Sequence, residues 1–277
     1  MISGRAKLAG VAGWPIGHSL SPALHGFWIE EHKLDAAYVP LAIAPGDFKD
    51  AFAALPKLGF RGLNVTLPHK EAAFALSTGH DEAARITGAV NTIVFDEGRV
   101  LGRNTDVYGF SQLLRDNGIG SLSNRVAFVL GAGGAARGVI ASLIGLGAAR
   151  VVVVNRTLDK AQALAALFGA RVVAQQGLAA LGEAYLLVNT TSLGMAGQPP
   201  LAADLGAMSR GSAVIDIVYR PHETALLAQA KALGLKAIDG LGMLLHQAQP
   251  GFAAWFGVEP KVTPQLRAHL VGVMERG

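Results

Sequence analysis

One stretch, RVAFVLGAGGAARGVI at residues 125 to 140, constrains this chain more than any other. A short run of apolar residues stops at a cluster of glycines, and a helical pattern begins at once. Gly131, Gly133 and Ala136 fit the spacing G-x-G-x-x-G/A. In that pattern the first glycine makes the tight turn, the second lets the backbone approach a pyrophosphate, and the third position allows close helix packing. The N-terminus of the following helix offers free N–H groups and the positive end of its dipole to a phosphate.

The rest of residues 125 to 240 agrees with a strand-turn-helix repeat. After RVAFVL come VVVVN, ARVVA, YLLVNTT, SAVIDIV and LKAID, separated by helical segments such as LDKAQALAALF and HETALLAQAKALG. Six short strands with intervening helices predict a parallel, doubly wound sheet. VVVV has no polar alternation, which suits a strand covered on both faces.

Dinucleotide sites that prefer NAD carry an acidic residue about 20 residues after the glycines, at the end of the second strand. This chain has Asn155, Arg156 and Thr157 there, with Lys160 one helical turn later. A guanidinium matches a 2′-phosphate, so the cofactor expected is NADP(H).

The first 107 residues repeat the theme less regularly. LAGVAGW, AYVPLAI, GLNVTLP and VNTIVF are candidate strands, and SPALHGFWIEEHKL is a candidate helix opened by Ser21 as cap and Pro22 at its first position. The fold class expected is α/β: an N-terminal α/β lobe, a C-terminal Rossmann-type doubly wound parallel sheet, and a cleft between them. In GLNVTLP, Asn64 and Thr66 lie two apart, so on a strand they share a face while Val65 enters the core. Polar clusters HSLSP, NVTLPHK, GAVNT and RNTD stand at strand ends or turns, with hydroxyls, amides, Lys70 and Asp106 among them. Lys70 has an alternative as a surface lysine at a helix start, and Asp106 as a helix cap.

Composition excludes several classes of function. With 277 residues, 51% hydrophobic and 16% charged, the chain reads as a compact two-lobed α/β protein rather than a disordered one. Its net charge is +4, but no two of its 24 Lys and Arg residues are adjacent, so anionic small molecules fit better than nucleic acid. There is no cysteine, which removes disulfides, thiolate metal sites and cysteine nucleophiles. The eight histidines form no metal-binding spacing, so no metal is expected. The start MISGRAKLAG lacks the apolar core of a signal peptide, and no stretch is long enough to span a bilayer. A cytoplasmic protein without nucleic-acid or membrane partners is expected, as monomer or homodimer.

In order along the chain, HSLSPALH, NVTLPHKEAA, GAVNT, GRNTD, GAGGAARG, NRT, NTTSLGM and DGLGMLLHQA resemble the shikimate dehydrogenase family. The resemblance implies NADP-dependent, reversible reduction of 3-dehydroshikimate to shikimate on the route to chorismate and aromatic amino acids. It implies Lys70 and Asp106 as the catalytic pair, with Lys70 the leading acid/base. Ser19 and Ser21 would hold the substrate carboxylate, while Asn64, Thr66, Asn91 and Gln247 would bind its hydroxyl side and Tyr219 would border it. For the cofactor, it implies Gly131, Ala132, Gly133, Gly134 and Ala135 at the pyrophosphate. Asn155, Arg156, Thr157 and Lys160 would face the ribose phosphate, Ile217 and Gly240 the nicotinamide, and Glu82 would touch the cofactor. The domains implied are 1–107 for substrate binding and catalysis, 108–240 for NADP, and a helical segment 241–277 packing back on the first. Val107 departs from the family pattern, where glycine is frequent. Alternatives are a quinate/shikimate dehydrogenase using NAD(P), and a non-catalytic ligand-sensing relative.

Overall fold

Residues 2–178 and 180–276 are described in the computed structural model. The chain forms two compact units, Met1–Asp106 with Leu245–Gly277, and Val107–Leu244. The second boundary falls inside the helix Leu241–Phe256.

The first unit is built on strands β1 (Lys7–Gly13), β2 (Ala36–Ala42), β3 (Phe60–Val65), β4 (Gly79–His80), β5 (Thr92–Asp96) and β6 (Arg99–Arg103). Their order is β2-β1-β3-β5-β6-β4. β1 runs parallel to β2 and β3, whereas β5 is antiparallel to both β3 and β6, so the sheet is mixed. β4 and β6 lie outside the strands expected from sequence. Their short, glycine-containing segments carry no apolar alternation, and pairing is what extends them: β6 along β5, and β4 along β6.

Strand alternation sorts the side chains of this sheet. Leu63, Val65 and Ile93 enter an apolar core with Phe48 and Phe52. Asn64 stands between two of these on β3 and so takes the opposite face. On that face the residues of β2 meet a cluster of rings drawn from the helix Ser21–Glu31 and from Leu241–Phe256. His25 stacks on Tyr38 at 3.9 Å between centroids, and Trp28 and Phe252 meet edge to face. Trp255 Nε1 donates to the Ile93 carbonyl at 2.8 Å, and Trp28 Nε1 to that of Lys261 at 3.0 Å. These bonds and the rings tie the end of the chain to its beginning.

Two details differ from the sequence expectation. Ser21 is the first residue of its helix and not its cap: Leu20 holds the cap position, and the Ser21 N–H donates to Ser19 Oγ at 3.3 Å. Pro22, fixed in φ and without an N–H, fits the first turn either way. Thr66 lies one residue past β3, although its N–H still donates to the Ala12 carbonyl of β1 at 2.9 Å.

The second unit carries β7 (Val126–Leu130), β8 (Arg150–Val154), β9 (Val172–Gln175), β10 (Ala184–Asn189), β11 (Ala213–Asp216) and β12 (Lys236–Asp239). All pairings are parallel, in the order β12-β11-β10-β7-β8-β9. Along β7, Ala127 and Val129 belong to the core on one face while Phe128 and Leu130 belong to the core on the other. Both faces are therefore dry, which is why these strands read as unbroken apolar runs. The six strands correspond one for one to the six apolar runs of the sequence.

His25 gives this fold a pH dependence. It is fully buried, neither ring nitrogen makes a hydrogen bond of good geometry among the described residues, and burial, only partly offset by the neighbouring Asn64 side chain, lowers its pKa from 6.5 to about 3. The unfolded chain binds a proton near pH 6.5 that the folded chain refuses until about pH 3. The stability it contributes is complete above 6.5 and falls with pH through that window, by at most about 1.4 kcal/mol per pH unit. His25→Phe is expected to flatten the wild-type dependence of unfolding free energy on pH between 6 and 4 in urea titrations; an unchanged slope refutes the assignment.

Candidate active site

In the first unit, the segments NVTLPHK, GAVNT and RNTD converge. Lys70 opens the helix Lys70–Leu76, and Asp106 opens the helix Asp106–Asp116, 36 positions later. Lys70 Nζ donates to Asp106 Oδ2 at 2.5 Å, with the two side chains 15% and 9% exposed. The other carboxylate oxygen, Oδ1, accepts from Asn91 Nδ2 at 2.8 Å. Each oxygen thus has a side-chain partner, and Asp106 is the first residue of its helix rather than the cap position before it. A charge pair this far from water holds only if its partners are fixed, because losing one leaves an uncompensated buried ion.

Asn91 fixes them. Its Oδ1 accepts from the Thr105 N–H at 2.8 Å and from the Thr92 and Thr105 hydroxyls, each at 3.1 Å. Its Nδ2 also reaches Gln247 Oε1 at 3.4 Å. Asn64 continues the network: Nδ2 donates to Thr92 Oγ1 at 3.0 Å and to the Asn91 carbonyl at 3.2 Å, and Oδ1 accepts from Tyr38 at 2.6 Å. Asn104 closes the base of the loop through Thr87 Oγ1 and the Ala89 carbonyl. Ser21 is buried, while Ser19, Thr66 and Lys70 are half-buried. Sequence reasoning did not single out Tyr38, Thr92 or Thr105 as site residues. Thr92 and Thr105 were inside the quoted clusters GAVNT and RNTD, whereas Tyr38 gave no signal inside an apolar run.

In the second unit, a cavity of about 720 Å³ opens at the carboxyl ends of β7, β8 and β10. It lies where the strand order reverses between β7 and β10, the crevice in which doubly wound sheets bind ligands. Gly131, Ala132 and Gly133 line it beside Asn155, Arg156, Thr157 and Lys160. Gly131 has φ +104°, and a Cβ there would stand 2.8 Å from Thr190 Oγ1, so both conformation and space demand glycine. Gly133 and Gly134 face open space instead, with nothing within 4 Å of a Cβ built on either. Ala136 is wholly buried at the helix-sheet contact. Asn155 steadies its own turn by donating to the Thr157 carbonyl at 2.8 Å. Arg156 and Lys160 are exposed, and neither makes an ion pair among the described residues. Open backbone beside two unpaired cations fits a dinucleotide with an extra phosphate. Gln176, Gln198, Thr191 and Ser192 also line this cavity and were not singled out from sequence, although the loops after β9 and β10 were where such contacts belong.

The remaining implied residues are outside the lining of this cavity. Gly240 packs against the backbone of Ile217, whose carbonyl oxygen would lie 2.2 Å from a Cβ, so its glycine is explained by that approach alone. Ile217 and Tyr219 follow β11 on a loop anchored by Asp216, which accepts from Asn189 at 2.9 Å and Thr224 at 2.7 Å. Burial raises the Asp216 carboxyl and the Tyr219 phenol above their ordinary pKa values. Glu82 is exposed at the start of the helix Glu82–Thr87 in the first unit and is not among the residues lining the 720 Å³ cavity of the second. Among the described residues no group of three or more His, Asp or Glu could hold a metal ion.

The family model for the shikimate dehydrogenase substrate binding domain matches residues 11–93, and that for shikimate / quinate 5-dehydrogenase matches residues 114–192. A shikimate dehydrogenase (NADP(+)) of Rhodospirillum rubrum is 54% identical, over 98% of this chain and 99% of its own. The chain belongs to the shikimate dehydrogenase family. Among solved structures, shikimate 5-dehydrogenase from Thermus thermophilus in complex with NADP(H) and shikimate matches with TM-score 0.84 and 38% identity, over 98% of this chain and 99% of that one. A quinate dehydrogenase from Corynebacterium glutamicum in complex with NAD matches with TM-score 0.87 and 32% identity, over 96% and 99%. No helix among the described residues is long and apolar enough to cross a membrane.

Arg156→Ala is expected to lower the ratio of NADPH to NADH efficiency by about tenfold or more, the worth of a charge-assisted phosphate contact. Steady-state kinetics with each cofactor decide it, and an unchanged ratio would sink the role given to Arg156.

Proposed function

We infer that the chain catalyses the reversible NADPH-linked reduction of 3-dehydroshikimate to shikimate, with Lys70 and Asp106 as the acid/base pair. The observation that carries the chemistry is the part-buried Lys70–Asp106 bond, held in place from Asn91. NADPH, when bound, supplies the hydride. The chain's own task is to hold the ketone and manage one proton.

Lys70 has three N–H donors, and one goes to Asp106. The others can meet the ketone oxygen, where an ammonium stabilises developing negative charge and passes on a proton. In the oxidative direction the same nitrogen takes the proton from the hydroxyl. Asp106 positions that nitrogen, and Asn91 positions Asp106. The roles of Ser19 and Ser21 at the substrate carboxylate, and of Thr66, Gln247 and Tyr219 around the ring, belong to the same proposal. Asn64 has both N–H groups engaged, so its contribution is the second lone pair of Oδ1, which can accept from a substrate hydroxyl. Asn91 holds Asp106 through Nδ2 and reaches Gln247 only at 3.4 Å, so on this reading it positions Asp106 and faces the hydroxyl side of the substrate with Gln247.

On this reading Met1–Asp106 with Leu245–Gly277 is the substrate-binding unit and Val107–Leu244 the NADP-binding unit. Cofactor contacts are assigned to Gly131, Ala132, Gly133, Asn155, Arg156, Thr157 and Lys160 from the cavity they line. Gly134 and Ala135 join them through the first turn of the helix Gly134–Gly145. Shikimate, 3-dehydroshikimate and NADP(H) are the partners, and the chain works in the cytoplasm as monomer or homodimer. Quinate oxidation with NAD is the lesser reading, because the end of β8 presents Arg156 where NAD sites carry a carboxylate.

Assays of shikimate and quinate, each with NADP and NAD, are expected to give shikimate with NADP the highest kcat/KM; a dominant quinate rate with NAD overturns the choice. Lys70→Ala is expected to lower kcat by about 10² to 10⁴, as loss of a positioned acid/base does, while calorimetry still detects shikimate binding. Undiminished shikimate oxidation by that variant removes Lys70 from the mechanism.

A further inference from the structure

Tyr38 lies on β2, yet its phenol bonds a residue of β3 with β1 between them. The register shows how. Tyr38 pairs with Ala9 on β1, and Asn64 pairs with Val11 two residues along the same strand. The methyl side chain of Ala9 leaves room for the ring to lean across. His25 lies flat against that ring, 3.9 Å away and 8° from parallel, and Trp255 stands 6.0 Å off, so the phenol has little freedom.

The direction of the bond follows from its neighbours. The Asn91 backbone carbonyl can only accept, so the atom of Asn64 facing it at 3.2 Å is Nδ2. Oδ1 must then face Tyr38, and the phenol must donate. Burial holds the Tyr38 phenol well above its ordinary pKa, so it stays protonated at working pH, and the Ser21 side chain stands beside it. Polar groups therefore follow one another from Ser21 through Tyr38, Asn64, Thr92 and Asn91 to Asp106 and Lys70.

We propose that Tyr38 is a positioning residue for the substrate: its hydroxyl fixes the amide of Asn64 so that the free lone pair of Oδ1 meets a substrate hydroxyl, in register with Ser21 at the carboxylate end. This rests on the functional reading above. Without the phenol hydroxyl the Asn64 amide is held from its Nδ2 side only, and its oxygen is free to shift from the position that sets the spacing between the two ends of the binding wall. Substrate and transition state share that wall, so the loss falls on KM more than on kcat.

Tyr38→Phe removes one oxygen and keeps the ring and its stack on His25. It is expected to raise the KM for shikimate about three- to tenfold, the worth of one neutral hydrogen bond, with kcat within about twofold and the KM for NADP unchanged. Asn64→Ala is expected to raise the shikimate KM by itself, and adding Tyr38→Phe to it is expected to have no further effect. An unchanged shikimate KM in Tyr38→Phe overturns the proposal, as do single effects that multiply in the double variant, or a KM for NADP that rises in parallel. Calorimetric titration of shikimate into the cofactor-free proteins gives the same comparison independently of turnover. Wild-type protein serves as control: no shikimate oxidation with NADP would remove the functional reading itself, whereas normal wild-type turnover beside an unaffected Tyr38→Phe removes only the role of Tyr38.

Discussion

Asp106 is 6% exposed and carries a carboxylate, so its two oxygens must find partners inside the protein. Lys70 takes one and Asn91 the other. From this requirement the rest of the first unit's polar interior follows. Asn91 can serve Asp106 only if its own oxygen is held, which Thr105 and Thr92 do, and Thr92 in turn receives the amide of Asn64. Each group satisfies the next, so the cluster has one arrangement rather than several. A site that must hold a ketone beside a proton donor gains from that singleness, because the donor is in place before substrate arrives.

The second unit depends on a different constraint. A parallel sheet has both faces covered, so its strands are apolar throughout and its polar chemistry is pushed to the strand ends. At those ends backbone groups do most of the recognition. Gly131 makes the turn that a side chain would block, and Gly133 and Gly134 leave their surroundings open. The charged residues there, Arg156 and Lys160, stay exposed and make no ion pair among the described residues, in contrast to Lys70.

These two styles explain how much was legible in the sequence. The six strands of the second unit follow from apolar runs spaced by helical patterns, and the pocket at β7 follows from the glycine spacing. The first unit was less readable, because β4 and β6 are defined by their partners, and because Ser21 and Thr66 sit within one residue of an element boundary. Gly240 shows a subtler limit. A glycine looks the same in sequence whatever makes it necessary, and the approach of the Ile217 backbone to Gly240 is visible only in the fold.

The sequence by itself determined the doubly wound sheet, the dinucleotide turn, the cationic end of β8, and the residue types of NVTLPHK and RNTD. All of these are local: a period, a spacing or a side-chain chemistry within a few residues. Only the tertiary structure decided that Lys70 and Asp106 share a hydrogen bond, that Asn91 serves Asp106, and that Tyr38 reaches across β1 to Asn64. Those pairings join residues 15 to 36 positions apart, and they are set by strand register and by the cost of leaving a buried polar group unpaired, which no single segment can express.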